Sequence, residues 1–332
     1  MFHRSRTILM STLASATCVL CLVKPAPAQP TADQVLTDVG ISAGDKQRIL
    51  NGEFVTADIP GVSDKDLSLL IAFLVKTSPD DLSKQVMGGK IISTDPQVRA
   101  SGEFSGAGSL SDLAKLQVSA DAAQTLSNAK AGEKLNFSTS EIAALNAAQG
   151  QEAVQQQLRQ ILLARYQAYK ASGLDGIAPY DRGGGSAGDV GGSLRKASES
   201  ARELQKYLPA FHQVLTGFPK ATAPGTQQNF YWVSYDIDGT PTFVLTHTMA
   251  AADGAVRAVV QRQYYASTGY NAEQAVAGFL PVQEGTVVVY TNHTFTDQVA
   301  GFGGSTKRSI GRRMMASKLK EMFDSARKEV AR

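Results

Sequence analysis

The chain has 332 residues, with 33 lysines and arginines against 30 acids and a formal charge of +3. The surplus stands in the first 28 residues as Arg4, Arg6 and Lys24, without an acid, so 30 basic and 30 acidic residues remain beyond them. That balance argues against broad nucleic-acid binding, which needs a strong basic excess, while the length suffices for two domains or one large core.

Read in chain order, Arg4 and Arg6 make a basic start, Ile8 to Val23 a mostly apolar core, and Ala26-Pro27-Ala28 a small-x-small cleavage site. This is the anatomy of a Sec-type signal peptide, and it predicts a bacterial-type exported protein, periplasmic or secreted. Both cysteines, Cys18 and Cys21, fall within it, so the mature chain is expected to hold no thiol. Thr17 and Leu20 precede them where a lipid-modified cysteine normally follows a small residue, and Ser5 separates the two arginines, against a twin-arginine signal.

Residues 29–105 are expected to form the first part of an α/β core. Ser42 to Asn51 reads as a helix stopped by Gly52, and Glu53 to Ile59 as a strand. Asp66 to Lys76 is an apolar run too short to span a bilayer. Ser78-Pro79-Asp80-Asp81 supplies a helix cap, a proline at the first turn and acids at the positive helix end. Lys90 to Phe104 returns to extended structure.

Residues 106–217 are expected to be a helical insertion or subdomain. Ser138 to Glu141 is a capping box, and Glu152 to Ser172 a long helix with Gly173 beyond its end. A glycine-rich loop, Gly183 to Gly192, precedes a helix over Ser193 to Tyr207. The pattern Gly183-x-Gly185-x-x-Gly188 mimics a dinucleotide fingerprint but lacks the apolar strand that must precede one, so it reads as a loop.

Residues 218–332 are the most legible. Phe230 to Ile237, Thr242 to Met249 and Ala255 to Ala266 alternate and are joined by Asp238-Gly239 and Asp253-Gly254, predicting an antiparallel meander. A short helix over Asn271 to Leu280, a strand over Thr286 to Phe295 and a closing helix over Ser305 to Val330 follow. The closing helix carries an apolar stripe of Ile310, Met314, Leu319, Met322, Phe323, Ala326 and Val330. From Ala300 onward nine basic residues face three acids, which leaves −6 on the rest of the mature chain.

Alternation places His247 on the face of Phe243, Leu245 and Met249, and His293 on that of Val287, Val289 and Phe295. Both imidazoles therefore point to an apolar side and need partners, which Arg262, Gln263, Tyr264 and Tyr265 are placed to supply. They read either as hydrogen-bonded core histidines, as polar anchors of a ligand cavity, or as a catalytic base. His212 reads as a half-buried helix histidine. Neither a His-x-x-x-His nor a Glu-x-x-His pair occurs, and no Gly-x-Ser-x-Gly elbow, so no metal, cofactor or nucleophile is expected. Gly301 to Lys307 joins a strand to a helix start, where Lys307 and Arg308 are candidates for an anion or surface contact, against a plain capped connection.

The order of these elements, with Glu53 to Phe104 as its early part and Phe230 to Val330 as the remainder, resembles the helix-grip fold of START-like (SRPBCC) ligand-binding proteins. The resemblance is topological and covers about half the chain. The chain is also similar to a group of exported bacterial proteins, a likeness that implies no activity. The expected fold class is α+β: an antiparallel meander packed on a long C-terminal helix, with a large helical insertion. The resemblance implies a pocket between sheet and closing helix, for which His247, His293, Arg262, Tyr264 and Trp232 are the candidate ligand contacts. The leading functional expectation is an exported, non-catalytic binding protein for a hydrophobic or amphipathic small molecule. The alternatives are an exported hydrolase using a strand histidine and an envelope-associated interaction protein. The basic closing helix adds an expected peripheral contact with anionic membrane, against a solvated face.

Overall fold

A computed structural model describes residues 29–89, 92, 95–237, 240–301 and 303–330. The signal-peptide reading, the Asp238-Gly239 turn and part of the 90–104 segment fall outside the described residues. The chain begins with α1 (Ala32–Asp38) and α2 (Ala43–Leu50), the second capped by the Ser42 side chain. It continues with β1 (Val55–Ala57), β2 (Asp66–Val75), α3 (Pro79–Met87) and β3 (Val98–Glu103). The middle holds α4 (Ala120–Ser127), α5 (Thr139–Ala147) and α6 (Gln151–Ser172), then a small hairpin of β4 (Tyr180–Asp181) and β5 (Ala187–Gly188). Three helices follow, α7 (Val190–Glu199), α8 (Arg202–Tyr207) and α9 (Pro209–Gly217). Five long strands come next: β6 (Gln227–Ile237), β7 (Thr240–Asp253), β8 (Val256–Ala266), β9 (Ala272–Val282) and β10 (Gly285–Phe295). The C-terminal helix α10 (Gly304–Val330) ends the described chain.

One eight-stranded antiparallel sheet, in the order β1-β2-β10-β9-β8-β7-β6-β3, organises the molecule. The fold is therefore α+β, an antiparallel sheet packed on a long C-terminal helix with large helical insertions, loosely like a helix-grip architecture. The apolar run from Asp66 is a central strand buried along its whole length, which explains its lack of alternation.

Two elements differ from the sequence expectation. Asn271 to Leu280 is not a helix: β9 pairs with β10 from Ala272 to Val282 and with β8 from Glu273 to Phe279. Its Ala-Glu-Gln-Ala composition favours a helix locally, but pairing on both edges outweighs a propensity of a few tenths of a kcal/mol per residue. The helix expected over Ser193 to Tyr207 is two, broken at Ser200-Ala201, and the first begins inside the glycine-rich segment at Val190. The Gly183 to Gly188 pattern builds the β4–β5 hairpin, where Arg182 N–H donates to Ser186 O.

Alternation along the strands sorts side chains to two covered faces. On one face Leu69, Ile71, Phe73, Val259, Ala275, Phe279, Val288 and Tyr290 pack against α3 and against α10 from Met315 onward. Phe323 is the keystone there, with ring centroids 5.0 Å from Phe73 and 4.9 Å from Tyr290. On the other face lie α1 and α2 at one end. Near the middle are α8 and α9, and the insertion α4–α7 lies at the far end around Trp232, Phe243, Tyr264 and Tyr265. The sheet is thus the middle of three layers.

Candidate functional site

Both strand imidazoles point away from solvent, His247 fully buried and His293 8% exposed. They share a face, and it is the one covered by α1, α2 and the insertion, opposite α10. Alternation names a side chain's face but not the helix that covers it.

His247 stands in a continuous hydrogen-bonded line. Arg262 Nη1 donates to the Tyr169 hydroxyl (3.1 Å), which lies 2.9 Å from His247 Nδ1, and His247 Nε2 lies 3.0 Å from Gln228 Oε1. In the neutral ring one polarity satisfies every link: the tyrosine O–H donates to Nδ1, and Nε2–H donates to the glutamine carbonyl. Burial, followed by the charge of Arg262, holds the imidazole well below its usual pKa, so this ring is neutral. Tyr169 also stacks on Tyr264 at 3.9 Å, and His247 on Phe230 at 4.3 Å. Arg262 is fully buried, and its hydrogen-bond partners Gln274, Tyr169, Ser198 and the Leu215 carbonyl are all neutral.

The fold thus brings three of the candidates, His247, Arg262 and Tyr264, together around Tyr169. Trp232 lies in the same core, donating from Nε1 to the Asp112 carbonyl at 2.9 Å. Two apolar clefts, one on each side of the sheet, are lined by none of these four.

His293 belongs to a separate cluster. Its register partner on β2 is Ser68, and the antiparallel pairing puts Asp66 on the same face one diagonal step away. His293 Nδ1 meets Asp66 Oδ2 at 2.8 Å, and Nε2 faces the Ser200 hydroxyl at 3.5 Å. Asp66 Oδ2 also accepts the Val62 N–H, while Oδ1 is buried without a partner among the described residues. Tyr169, Asp66, Ser200 and Gln274 were not singled out by sequence reasoning. Asp66 had a signal, an acid heading an unbroken apolar run; the other three come together through tertiary contacts alone.

One of those two clefts lies between α3, α10 and the sheet, with about 90 Å³ of space open to a water-sized sphere. Phe73, Val86, Val259, Ala277 and Phe323 supply its apolar wall, and Gln85, Gln261 and Arg327 its polar groups. Among the described residues no set of three or more His, Cys, Asp or Glu side chains is placed to hold a metal ion.

At the start of α10, Arg308 donates to the Asp64 carbonyl at 2.9 Å while Lys307 is exposed, so the two cations do not converge. The apolar stripe divides. Phe323 is buried, with Leu319 and Met322 packed beside it, whereas Ile310 is 54% exposed and Met314 69%. These two were expected to face the core and instead point outward, because the first half of the helix meets the sheet through another face, with Gly311 against Leu67 and Met315 and Ala316 beside the apolar cluster. Val330 lies outside the described side chains. Comparison of the chain with models of protein families, with curated proteins and with solved structures gives no match.

Proposed function

We propose that the chain is exported and that the cleft beneath α10 holds a hydrophobic or amphipathic small molecule without transforming it. The observation that carries this reading is the cleft itself: apolar walls from α3, α10 and the sheet, with polar groups few and placed apart. It occupies the position that the helix-grip likeness implies, and the reading of residues 1–28 supports export. A ligand with an apolar body and a polar or anionic head suits it, the body against Phe73, Val259 and Phe323 and the head toward Arg327. The strand histidines are not needed for this role.

Purified protein is expected to release a bound amphiphile on solvent extraction and to bind the fluorescent fatty acid cis-parinaric acid. Ala277→Trp fills the cleft from β9 and should lower that affinity at least tenfold, the loss of about 1.4 kcal/mol. An empty protein whose probe binding ignores this substitution would overturn the reading.

The outward face of the first half of α10 favours a second contact. Exposed Ile310 and Met314 lie among the exposed cations Lys307, Arg313 and Lys318, and the first acid of the helix is Glu321. Apolar anchors within a cationic face suit an anionic bilayer surface. Co-sedimentation with phosphatidylglycerol vesicles, but not with phosphatidylcholine vesicles, is expected. It should disappear in the double variant Ile310→Glu, Met314→Glu while thermal stability is kept; equal binding to both vesicle types would refute it.

A further inference from the structure

On the sheet face opposite α10, three side chains stand in a line from a half-buried rim to a buried end. Ser200 Oγ lies 3.5 Å from His293 Nε2, and His293 Nδ1 lies 2.8 Å from Asp66 Oδ2. The Asp66 side chain is fully buried and that of His293 is 10% exposed. A carboxylate on Nδ1 fixes the proton there and turns the lone pair of Nε2 toward the serine. This is the arrangement of a nucleophile, its base and the group that orients the base.

A second apolar cleft opens beside it. Val35 and Val39 of the α1 segment, Ala201, Leu204, Val289 and Thr291 line it, so it touches the residue after Ser200 and the position two before His293 on the same strand face. Gln274 is the cross-strand partner of His293 and is 1% exposed. Its Oε1 is held by Arg262 Nε at 3.1 Å and by the Ser198 hydroxyl at 2.9 Å. Its Nε2 has no acceptor among the described residues, a buried donor that costs stability where it stands.

We propose that Ser200, His293 and Asp66 are the catalytic triad of a carboxylic-ester hydrolase whose apolar acyl group lies in this second cleft. The inference is independent of ligand binding under α10. In acylation, Ser200 Oγ bonds to the carbonyl carbon and its proton passes to His293 Nε2. The bond from that carbon to the alcohol oxygen breaks, and the alcohol leaves with the proton. Water then adds to the acyl carbon, giving a proton to Nε2; the bond to Oγ breaks, Oγ recovers the proton, and the carboxylic acid departs. Ester and water become acid and alcohol, with no other reactant. In the resting structure the Ser200 hydroxyl donates to the Ala197 carbonyl at 2.9 Å, and its longer contact with Nε2 is one that tightens in a substrate complex.

The test is labelling of the purified full chain with a fluorophosphonate probe, peptide mass spectrometry to locate the adduct, and hydrolysis of p-nitrophenyl acetate and butyrate. A single adduct on Ser200 is expected, with faster turnover of butyrate. Ser200→Ala should abolish the adduct and lower kcat at least ~100-fold with an unchanged circular dichroism spectrum. His293→Gln should do the same. Should that variant not fold, Ser200→Ala, altered at a half-buried helix terminus, still decides the question. No adduct on Ser200, or hydrolysis that survives Ser200→Ala, overturns the proposal.

Discussion

At His247 the neutral ring satisfies both neighbours, with Nδ1 accepting from Tyr169 while Arg262 holds a fixed positive charge behind that tyrosine. Burial and that charge lower the folded-state pKa well below the ordinary 6.5. The unfolded chain therefore binds a proton on acidification that the folded protein refuses. For a base whose folded pKa is depressed, stability is whole above about pH 6.5 and falls as pH drops through the window beneath it. The loss from this single site is up to about 1.4 kcal/mol per pH unit. Glu273 works with the opposite sign, because burial raises its carboxyl, so the comparison must be made between variants. Urea titrations of wild type and His247→Gln between pH 5 and 6.5 should give a steeper fall for wild type; coincident slopes would remove this account. That both imidazoles point inward was legible from alternation in β7 and β10. The tyrosine on a helix some 80 residues earlier was not, because no local pattern pairs α6 with β7.

Among the elements, β3 and β9 show what local patterns carry and what they omit. The β3 edge packs against β6 so closely that a Cβ on Gly102 would sit 2.6 Å from Trp232 Nε1, the atom that donates to Asp112 O. Gly102→Ala should displace that indole and cost about 1–3 kcal/mol, the usual penalty of overpacking. Gly278 in β9 is its control: a Cβ there meets nothing nearer than Val289 O at 3.9 Å, so Gly278→Ala should stay within about 0.5 kcal/mol of wild type. Equal losses at the two sites, read as denaturation midpoints, would contradict the packing. The Asp253-Gly254 hairpin was legible because its turn chemistry is local, and Asp253 does pair with Val256. β9 was not, because alanine, glutamate and glutamine favour a helix until strands on both sides claim their backbone groups. The α10 stripe was periodic along its length, yet periodicity gives no information on which face of the helix each turn lays on the sheet, and Gly311 and Met315 rather than Ile310 and Met314 meet it.

At the scale of the whole molecule, the eight-stranded sheet separates two apolar clefts. Ala275, Ala277 and Phe279 of β9 point toward α10, while Gln274, Val276, Gly278 and Leu280 point to the other side. The class of fold and the closing helix could be read from the meander and the apolar stripe. Which cleft holds which chemistry could not, since it depends on how residues 29–50 and the insertion close over one face. The partition makes a quantitative demand. Ala277→Trp and Ser200→Ala act on opposite faces through different neighbours, and changes at separated sites without shared partners add within about 0.5 kcal/mol. Ala277→Trp should therefore weaken cis-parinaric acid binding and leave ester hydrolysis unchanged, whereas Ser200→Ala should abolish hydrolysis and leave fatty-acid binding intact. The double variant should show both losses at their single-variant sizes. If filling the cleft under α10 also slowed hydrolysis, one ligand would be spanning both faces, and the sheet would not divide the two clefts.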